Sequence, residues 1–138
     1  MHQRQINTVQ QLKVYILDDE RIVVNILSDM LREVGIENFQ TQTNPVEALD
    51  DIAQFKPDLI FLDVMMPKIN GLDFLKKLRT KHPHTHKIPV FYLTGHSNEN
   101  FVMEAKKLKV SGYLLKPVEF SKVKLVLAKT FKKLSSSL

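Results

Sequence analysis

Five residues of this chain combine side-chain types and positions that could carry chemistry. Asp18 and Asp19 come directly after the run Lys-Val-Tyr-Ile-Leu, and Asp63 ends the apolar run Leu-Ile-Phe-Leu. Thr94 follows a β-rich run, and Lys116 follows Gly-Tyr-Leu-Leu. Carboxylates bind hard divalent cations, while an ammonium and a hydroxyl can donate to an anion. Together, these groups would suit the handling of a phosphoryl group.

The runs that precede these residues are predicted to be β-strands, because each is short, apolar and bounded by turn signals. Strands are predicted at about 13–17, 36–43, 59–63, 88–93 and 112–115, and helices at about 21–34, 45–55, 72–81, 98–109 and 120–134. In the first helix the predicted buried stripe includes Ile22 and Ile26, and Gly35 ends it. Asn44 and Pro45 are predicted to begin the second helix. Five strands alternating with five helices predict an α/β fold, a parallel sheet covered on both faces.

The strands of such a sheet present their C-terminal ends at one edge, where ligands bind in this fold class. We therefore expect Asp18, Asp19, Asp63, Thr94 and Lys116 to lie together. Singly, each is also explained as a helix cap or an ordinary strand-end residue; jointly, they favour a site. Three close carboxylates repel one another unless a cation compensates, and Mg²⁺ accepts a few carboxylates and keeps water in its other positions. The expected chemistry is formation and hydrolysis of an aspartyl phosphate on Asp63.

Length and composition restrict the class of protein. A chain of 138 residues with 43% hydrophobic residues is expected to form one domain with its own core. It has no Cys, which excludes disulfides and thiolate chemistry, and it has no apolar run of membrane-spanning length, so we expect a soluble, cytoplasmic protein. The net charge is +5, and residues 96–138 hold nine Lys against three Glu. These Lys are spread around predicted helices, which favours solvated faces over nucleic-acid binding.

The chain resembles the receiver domains of two-component response regulators over about residues 13–134. Four motifs carry the resemblance: Leu-Asp-Asp-Glu at 17–20, Leu-Asp-Val-Met-Met-Pro at 62–67 with Gly71, Leu-Thr-Gly at 93–95, and Tyr-Leu-Leu-Lys-Pro at 113–117. It implies the doubly wound, flavodoxin-like (CheY-like) sheet with strand order 2-1-3-4-5. Residues 1–12 would then be a tail or a short extra turn, and residues 135–138 a tail or the start of a linker.

The resemblance also implies a role for each reactive residue. Asp63 would accept a phosphoryl group from a phosphohistidine of a sensor histidine kinase or a histidine phosphotransfer protein. Asp18, Asp19 and Asp63 would bind Mg²⁺ together with the backbone carbonyl of Met65. Lys116 would pair with the phosphate. The protein would then be a signalling phosphoacceptor, assisting only its own phosphorylation and dephosphorylation, rather than a turnover enzyme.

A conformational switch is the second implication of the resemblance. Thr94 would move toward the phosphate and Tyr113 would turn into the space that Thr94 leaves, while the bond between Lys116 and Pro117 would be cis. The signal would leave through the face formed by the helix at 98–109, the fifth strand and the last helix. A second copy of the chain or a downstream effector would dock there, with no direct contact to nucleic acid or membrane.

Two other readings of the acidic site are weaker. A Mg²⁺-dependent phosphatase of the haloacid-dehalogenase type needs a second acid two residues after its nucleophile, and that position holds Met65. A flavodoxin-like nucleotide or flavin binder needs a phosphate-binding loop after the first strand, and the three acids at 18–20 would repel a phosphate there. A receiver that is not phosphorylated is disfavoured because no member of the reactive set is missing.

A separate cluster of His82, His84 and His86 lies before the fourth strand. In an extended chain, alternate side chains point the same way, so the three could bind Zn²⁺ or Cu²⁺. No acid or Cys lies within the segment, and its Lys flanks favour an exposed loop without a metal.

Overall fold

The computed structural model describes residues 5–66, 69–81, 85–95 and 110–136, apart from the side chain of His86. Within these ranges lie five strands, β1 (Lys13–Leu17), β2 (Asn38–Gln42), β3 (Leu59–Asp63), β4 (Val90–Thr94) and β5 (Gly112–Leu115). The α-helices described are α1 (Arg21–Val34), α2 (Pro45–Phe55), α3 (Gly71–Lys81) and α4 (Phe120–Ser136). The helix predicted at 98–109 falls outside the described residues. None of the described helices is long and apolar enough to cross a membrane.

All five strands are parallel and stand in the order β2-β1-β3-β4-β5, which confirms the predicted fold and strand order. β1 lies inside the sheet, where Val14 pairs with Phe39 of β2 on one side and with Leu59 of β3 on the other. At the carboxyl end of β3, Asp63 pairs with Leu93 of β4. The carboxyl ends of β1, β3, β4 and β5 therefore meet at one edge.

The sheet has an apolar core on each face, because successive side chains of a strand point to opposite sides. In β1, Val14 and Ile16 belong to one core, and Tyr15 and Leu17 belong to the other. The first core lies under α1 and α4, which contribute Leu27 and other apolar residues, and the second lies under α2 and α3. The central strand β3 is buried along its whole length, as its apolar run predicts.

Helix ends follow the predicted signals. Gly35 follows α1 with a φ of 94°, a left-handed conformation that glycine adopts without steric cost. The side chain of Asn44 accepts a hydrogen bond of 3.0 Å from the backbone N–H of Val46 at the start of α2. The buried stripe of α1 is narrower than predicted, since Ile22 and Ile26 are 66% and 44% exposed. Their inclusion in the buried stripe was wrong.

The segment before β1 contains the short extra turn that was one of the two expectations for it. Val9–Gln11 form a 3-10 turn, and the neighbouring Ile6 and Leu12 are buried in the core beneath α1 and α4. The side chain of Gln10 also donates a hydrogen bond of 3.1 Å to the carbonyl of Val34 at the end of α1. This segment therefore packs against the domain.

Candidate functional site

Two carboxylates are buried where neighbouring strands end. Asp18 follows β1 and is 0% exposed, and Asp63 is the last residue of β3 and is 2% exposed. Backbone N–H groups hold one oxygen of each side chain, because the N–H of Glu20 donates to Asp18 Oδ1 at 2.8 Å and that of Met65 donates to Asp63 Oδ1 at 3.2 Å. The first turn after each strand thus fixes the direction of its carboxylate.

Lys116, the residue after β5, brings a positive charge to these acids. Its Nζ atom lies 3.0 Å from Asp18 Oδ2, 3.0 Å from Glu20 Oε1 and 3.2 Å from Asp63 Oδ1. Its backbone N–H donates to the carbonyl of Thr94 at 2.8 Å, so β4 and β5 stay paired up to the site. The bond between Lys116 and Pro117 is cis, as expected.

Burial and mutual repulsion perturb the protonation of the two buried acids. Burial is the largest cause that raises the pKa of Asp63 to about 7; contact with Asp19 and the charge of Asp18 raise it further, and Lys116 acts to lower it. Burial also raises the pKa of Asp18. Burial alone would lower the pKa of Lys116, but its bonds to Asp18 and Glu20 outweigh that effect and raise it. Lys116 therefore stays charged, but its single positive charge does not fully compensate the negative charges of the acids.

The acids at this edge could hold a metal ion. Asp18, Asp19, Glu20 and Asp63 each offer a carboxylate oxygen, and the four oxygens lie within 4.8 Å of one another. Asp19 Oδ1 and Asp63 Oδ2 are buried and accept no hydrogen bond within the described ranges. An uncompensated buried carboxylate oxygen is costly, so its environment suits a cation. The acidic cluster is thus compatible with Mg²⁺.

The two residues expected to act as a switch lie on β4 and β5. Thr94 is the last residue of β4, one position beyond the strand partner of Asp63, and is 7% exposed. Tyr113 in β5 pairs with Tyr92 and is 43% exposed, so part of its side chain reaches solvent. The movement of Thr94 and the inward turn of Tyr113 stay predictions.

Gly71 and Glu20 also support the site, although the sequence motifs alone assign them no structural role. A Cβ on Gly71 would lie 2.8 Å from the carbonyl oxygen of Asp63 and 2.8 Å from Val64 Cα. The N–H of Gly71 donates to the Val64 carbonyl at 2.7 Å. Only glycine fits so close beneath the end of β3. The sequence shows Glu20 only as a third acid after the first strand. Its contact with Lys116 joins two residues that are 96 positions apart in the chain.

Met65 and three His residues complete the set of predicted site positions. Met65 is 73% exposed, and the role of its carbonyl as a metal ligand stays a prediction. His82 and His84 lie outside the described residues, as does the side chain of His86, so the metal-binding alternative there is untested.

The chain is similar in sequence and in structure to known proteins. The sequence profile of the response regulator receiver domain family matches residues 14–128. Chemotaxis protein CheY-3 of Vibrio cholerae is 30% identical over 125 residues, covering 91% of this chain and 95% of that protein. Transcriptional regulatory protein ZraR of Klebsiella oxytoca is 30% identical over 119 residues, covering 86% of this chain but 26% of its own length. The structure of chemotaxis protein CheY4 of Vibrio cholerae superimposes with a TM-score of 0.80 at 26% identity, over 87% of this chain and 98% of that one.

Proposed function

Because this chain belongs to the response regulator receiver family and is a CheY-like receiver domain with a phosphoacceptor function, we propose that Asp63 is the phosphoacceptor and that Mg²⁺ binds beside it. The observation that best supports this is the position of Lys116, whose ammonium lies between the buried carboxylates of Asp18 and Asp63. Four acids lie close together here, and Lys116 contacts three of them, so among the described residues the site is short of positive charge. A divalent cation would supply it.

Asp63 is suited to nucleophilic attack at one of its two oxygens. Oδ1 accepts from the Met65 N–H and from Lys116, whereas Oδ2 accepts no hydrogen bond in the described part of the chain. An oxygen of ionised Asp63 attacks the phosphorus of a phosphohistidine, the phosphorus–nitrogen bond breaks, and its electron pair returns to the imidazole. In the hydrolysis that ends the signal, water attacks the same phosphorus, the bond between phosphorus and the Asp63 oxygen breaks, and the carboxylate of Asp63 and inorganic phosphate are released.

The remaining residues hold the ion and the phosphoryl group. Asp18, Asp19 and Asp63 would bind Mg²⁺ with the carbonyl of Met65, and the ion, when bound, supplies neutralisation of the phosphoryl oxygens. Lys116 already points at Asp63 and donates to the phosphoryl group once it is attached. These residues act by charge compensation and positioning.

Thr94 and Tyr113 change position when the phosphoryl group is attached, and this movement carries the signal. The hydroxyl of Thr94, at the end of β4, moves to the phosphoryl oxygens, and the exposed ring of Tyr113 turns into the space left behind. Such a switch biases an equilibrium between two arrangements of one fold. The outward position of Tyr113 suits the unphosphorylated arrangement.

The phosphoryl donor is a sensor histidine kinase or a histidine phosphotransfer protein, and the output face comprises β5, α4 and residues 98–109. This face docks an effector or a second copy of the chain. Exposed Lys residues of α4 make it basic; they are Lys122, Lys124, Lys129, Lys132 and Lys133. ZraR is a transcriptional regulator of which the matching part is about a quarter, and in this chain we assign DNA contact to no part of the receiver domain.

The same site supports a signalling role better than a turnover enzyme. A phosphatase with an aspartyl nucleophile requires a general acid two residues later, and the side chain there is the apolar, exposed Met65. We assign the receiver domain to residues 13–134, with residues 1–12 and 135–138 as flanking segments.

The test is phosphorylation by a small acyl phosphate, followed by intact mass. With Mg²⁺ we expect the wild-type chain to gain one phosphoryl group, and without Mg²⁺ to gain none. Asp63→Asn should gain none in either condition, whereas the control Asp29→Asn, at an exposed ion pair on α1, should behave as wild type. Phosphorylation that needs no Mg²⁺ or persists in Asp63→Asn would contradict the proposal.

A further inference from the structure

Glu20 occupies a position in the acidic cluster that the proposed metal ligands leave without a role. Its carboxylate oxygen Oε1 is 3.0 Å from Lys116 Nζ, and its side chain is 55% exposed, unlike the buried side chains of Asp18 and Asp63. The Lys116 ammonium donates hydrogen bonds to Glu20 and Asp63, and it forms an ion pair with Asp18. Among the described carboxylates around Lys116, Glu20 is thus the one that is not also a proposed ligand of Mg²⁺.

The backbone of Glu20 is fixed while its side chain is available. Glu20 precedes the first residue of α1, and its carbonyl accepts hydrogen bonds from the N–H groups of Val23 and Val24. Its own N–H donates to Asp18 Oδ1. A side chain at this position commonly accepts an N–H of the helix, but that of Glu20 makes no such bond. Its carboxylate reaches Lys116 instead.

Lys116 and a metal ion would interact with the same two carboxylates, those of Asp18 and Asp63. Nζ lies 3.0 Å from Asp18 Oδ2 and 3.2 Å from Asp63 Oδ1, so an ion bound by these carboxylates would face a positive charge at short range. Repulsion of this kind is strong where burial reduces screening. The carboxylate of Glu20, if it stays paired with the ammonium, offsets this repulsion. It also leaves Lys116 with a partner when Asp18 binds the ion instead.

We propose that Glu20 is a positioning residue that keeps Lys116 compatible with a metal ion, and so increases the affinity of the acidic cluster for Mg²⁺. This inference rests on the proposed function, because it takes Asp18, Asp19 and Asp63 as the ligands. Glu20 acts through Lys116. A carboxylate that instead bound the ion directly would act without Lys116, and this difference separates the two roles.

The test is a double-mutant cycle on Mg²⁺ affinity, measured by NMR titration of backbone amides without any phosphoryl donor. The variants are Glu20→Gln, Lys116→Met and the pair of both. Glu33→Gln removes the same charge from an exposed site near the far end of α1 and serves as the control. Lys116→Gln provides a second background if Lys116→Met gives a poorly dispersed spectrum.

We expect Glu20→Gln to weaken Mg²⁺ binding about three- to tenfold, because Lys116 would lose its anionic partner and its partly screened charge would repel the ion more strongly. Glu33→Gln should change it less than about twofold, because it is screened by distance. When Lys116 is replaced as well, Glu20→Gln should change the Mg²⁺ affinity by less than about twofold. Wild-type affinity in Glu20→Gln, or an undiminished loss when Lys116 is replaced, would overturn the role of Glu20 alone. A wild-type chain that binds no Mg²⁺ would overturn the proposed function with it.

Discussion

Replacing Asp63 by Asn should stabilise the protein in the absence of Mg²⁺, and should do so more at high pH. The pKa of Asp63 is raised to about 7 in the folded protein, first by burial and then by Asp19 and Asp18. A raised carboxyl pKa means that folding favours the protonated form, so the stabilisation is complete below the unfolded pKa and is lost as the pH rises through about 7. Asn carries no charge at any pH, so it avoids this loss.

The size of the effect follows from the shift. A rise in pKa from 3.8 to about 7, at about 1.4 kcal/mol for each pKa unit, corresponds to roughly 4 kcal/mol. About half of this should remain, because solvent at the sheet edge screens the charge and because the ionisation of Asp63 depends on that of Asp18. The free energy of unfolding of Asp63→Asn should therefore exceed that of wild type by about 2 kcal/mol at pH 8 and by less than about 0.5 kcal/mol at pH 4.

Urea unfolding followed by far-UV circular dichroism at pH 4, 6 and 8, with EDTA present, measures this difference. Asp29→Asn is the matched control, since its ion pair with Arg32 is exposed and its removal should change stability by less than about 1 kcal/mol at each pH. Added Mg²⁺ should narrow the gap between Asp63→Asn and wild type by stabilising the latter. An Asp63→Asn variant that is no more stable than wild type at pH 8 would refute the reasoning.

Three further substitutions test the surroundings of the site and the packing of the chain. Lys116→Met leaves Asp18 and Asp63 without their ammonium, so urea unfolding at pH 8 should show a loss of about 3 kcal/mol, partly restored by Mg²⁺; an unchanged midpoint would contradict this. Gly71→Ala places a Cβ 2.8 Å from the Asp63 carbonyl, so it should lower the free energy of unfolding by about 1–3 kcal/mol and slow phosphorylation by acyl phosphate. In the control Gly95→Ala the added Cβ meets nothing within 4 Å, and neither effect is expected. Ile6→Ala should lower the free energy of unfolding by about 2 kcal/mol because Ile6 is 7% exposed; a change as small as that of the exposed Val46→Ala would show that the segment before β1 does not pack.

Sequence patterns were sufficient for the sheet and for the reactive edge. Short apolar runs separated by helical periodicity predict alternating strands and helices, and parallel strands bring Asp18 and Asp63 together whatever their separation along the chain. The strand order came from the resemblance to the receiver family, since periodicity does not determine which strands are neighbours. The burial of β3 on both faces follows from its uninterrupted apolar run.

The features that the sequence did not predict depend on packing between distant segments. Ile22 and Ile26 fit the helical period of α1, but the width of the stripe that the sheet covers is set by the position of the helix, and both residues lie beyond it. The contact of Glu20 with Lys116 requires β1 and β5 to be placed in space. The perturbed pKa of Asp63 likewise depends on burial, which residue type alone does not give.

Chemical mapping of the phosphorylated residue tests the central claim most directly. Borohydride reduces an aspartyl phosphate to homoserine, so the chain is treated with acyl phosphate and Mg²⁺, reduced, digested and sequenced by mass spectrometry. We predict homoserine at position 63 and aspartate unchanged at positions 18 and 19. Homoserine at another acid, with position 63 unchanged, would contradict the assignment of Asp63 as the phosphoacceptor.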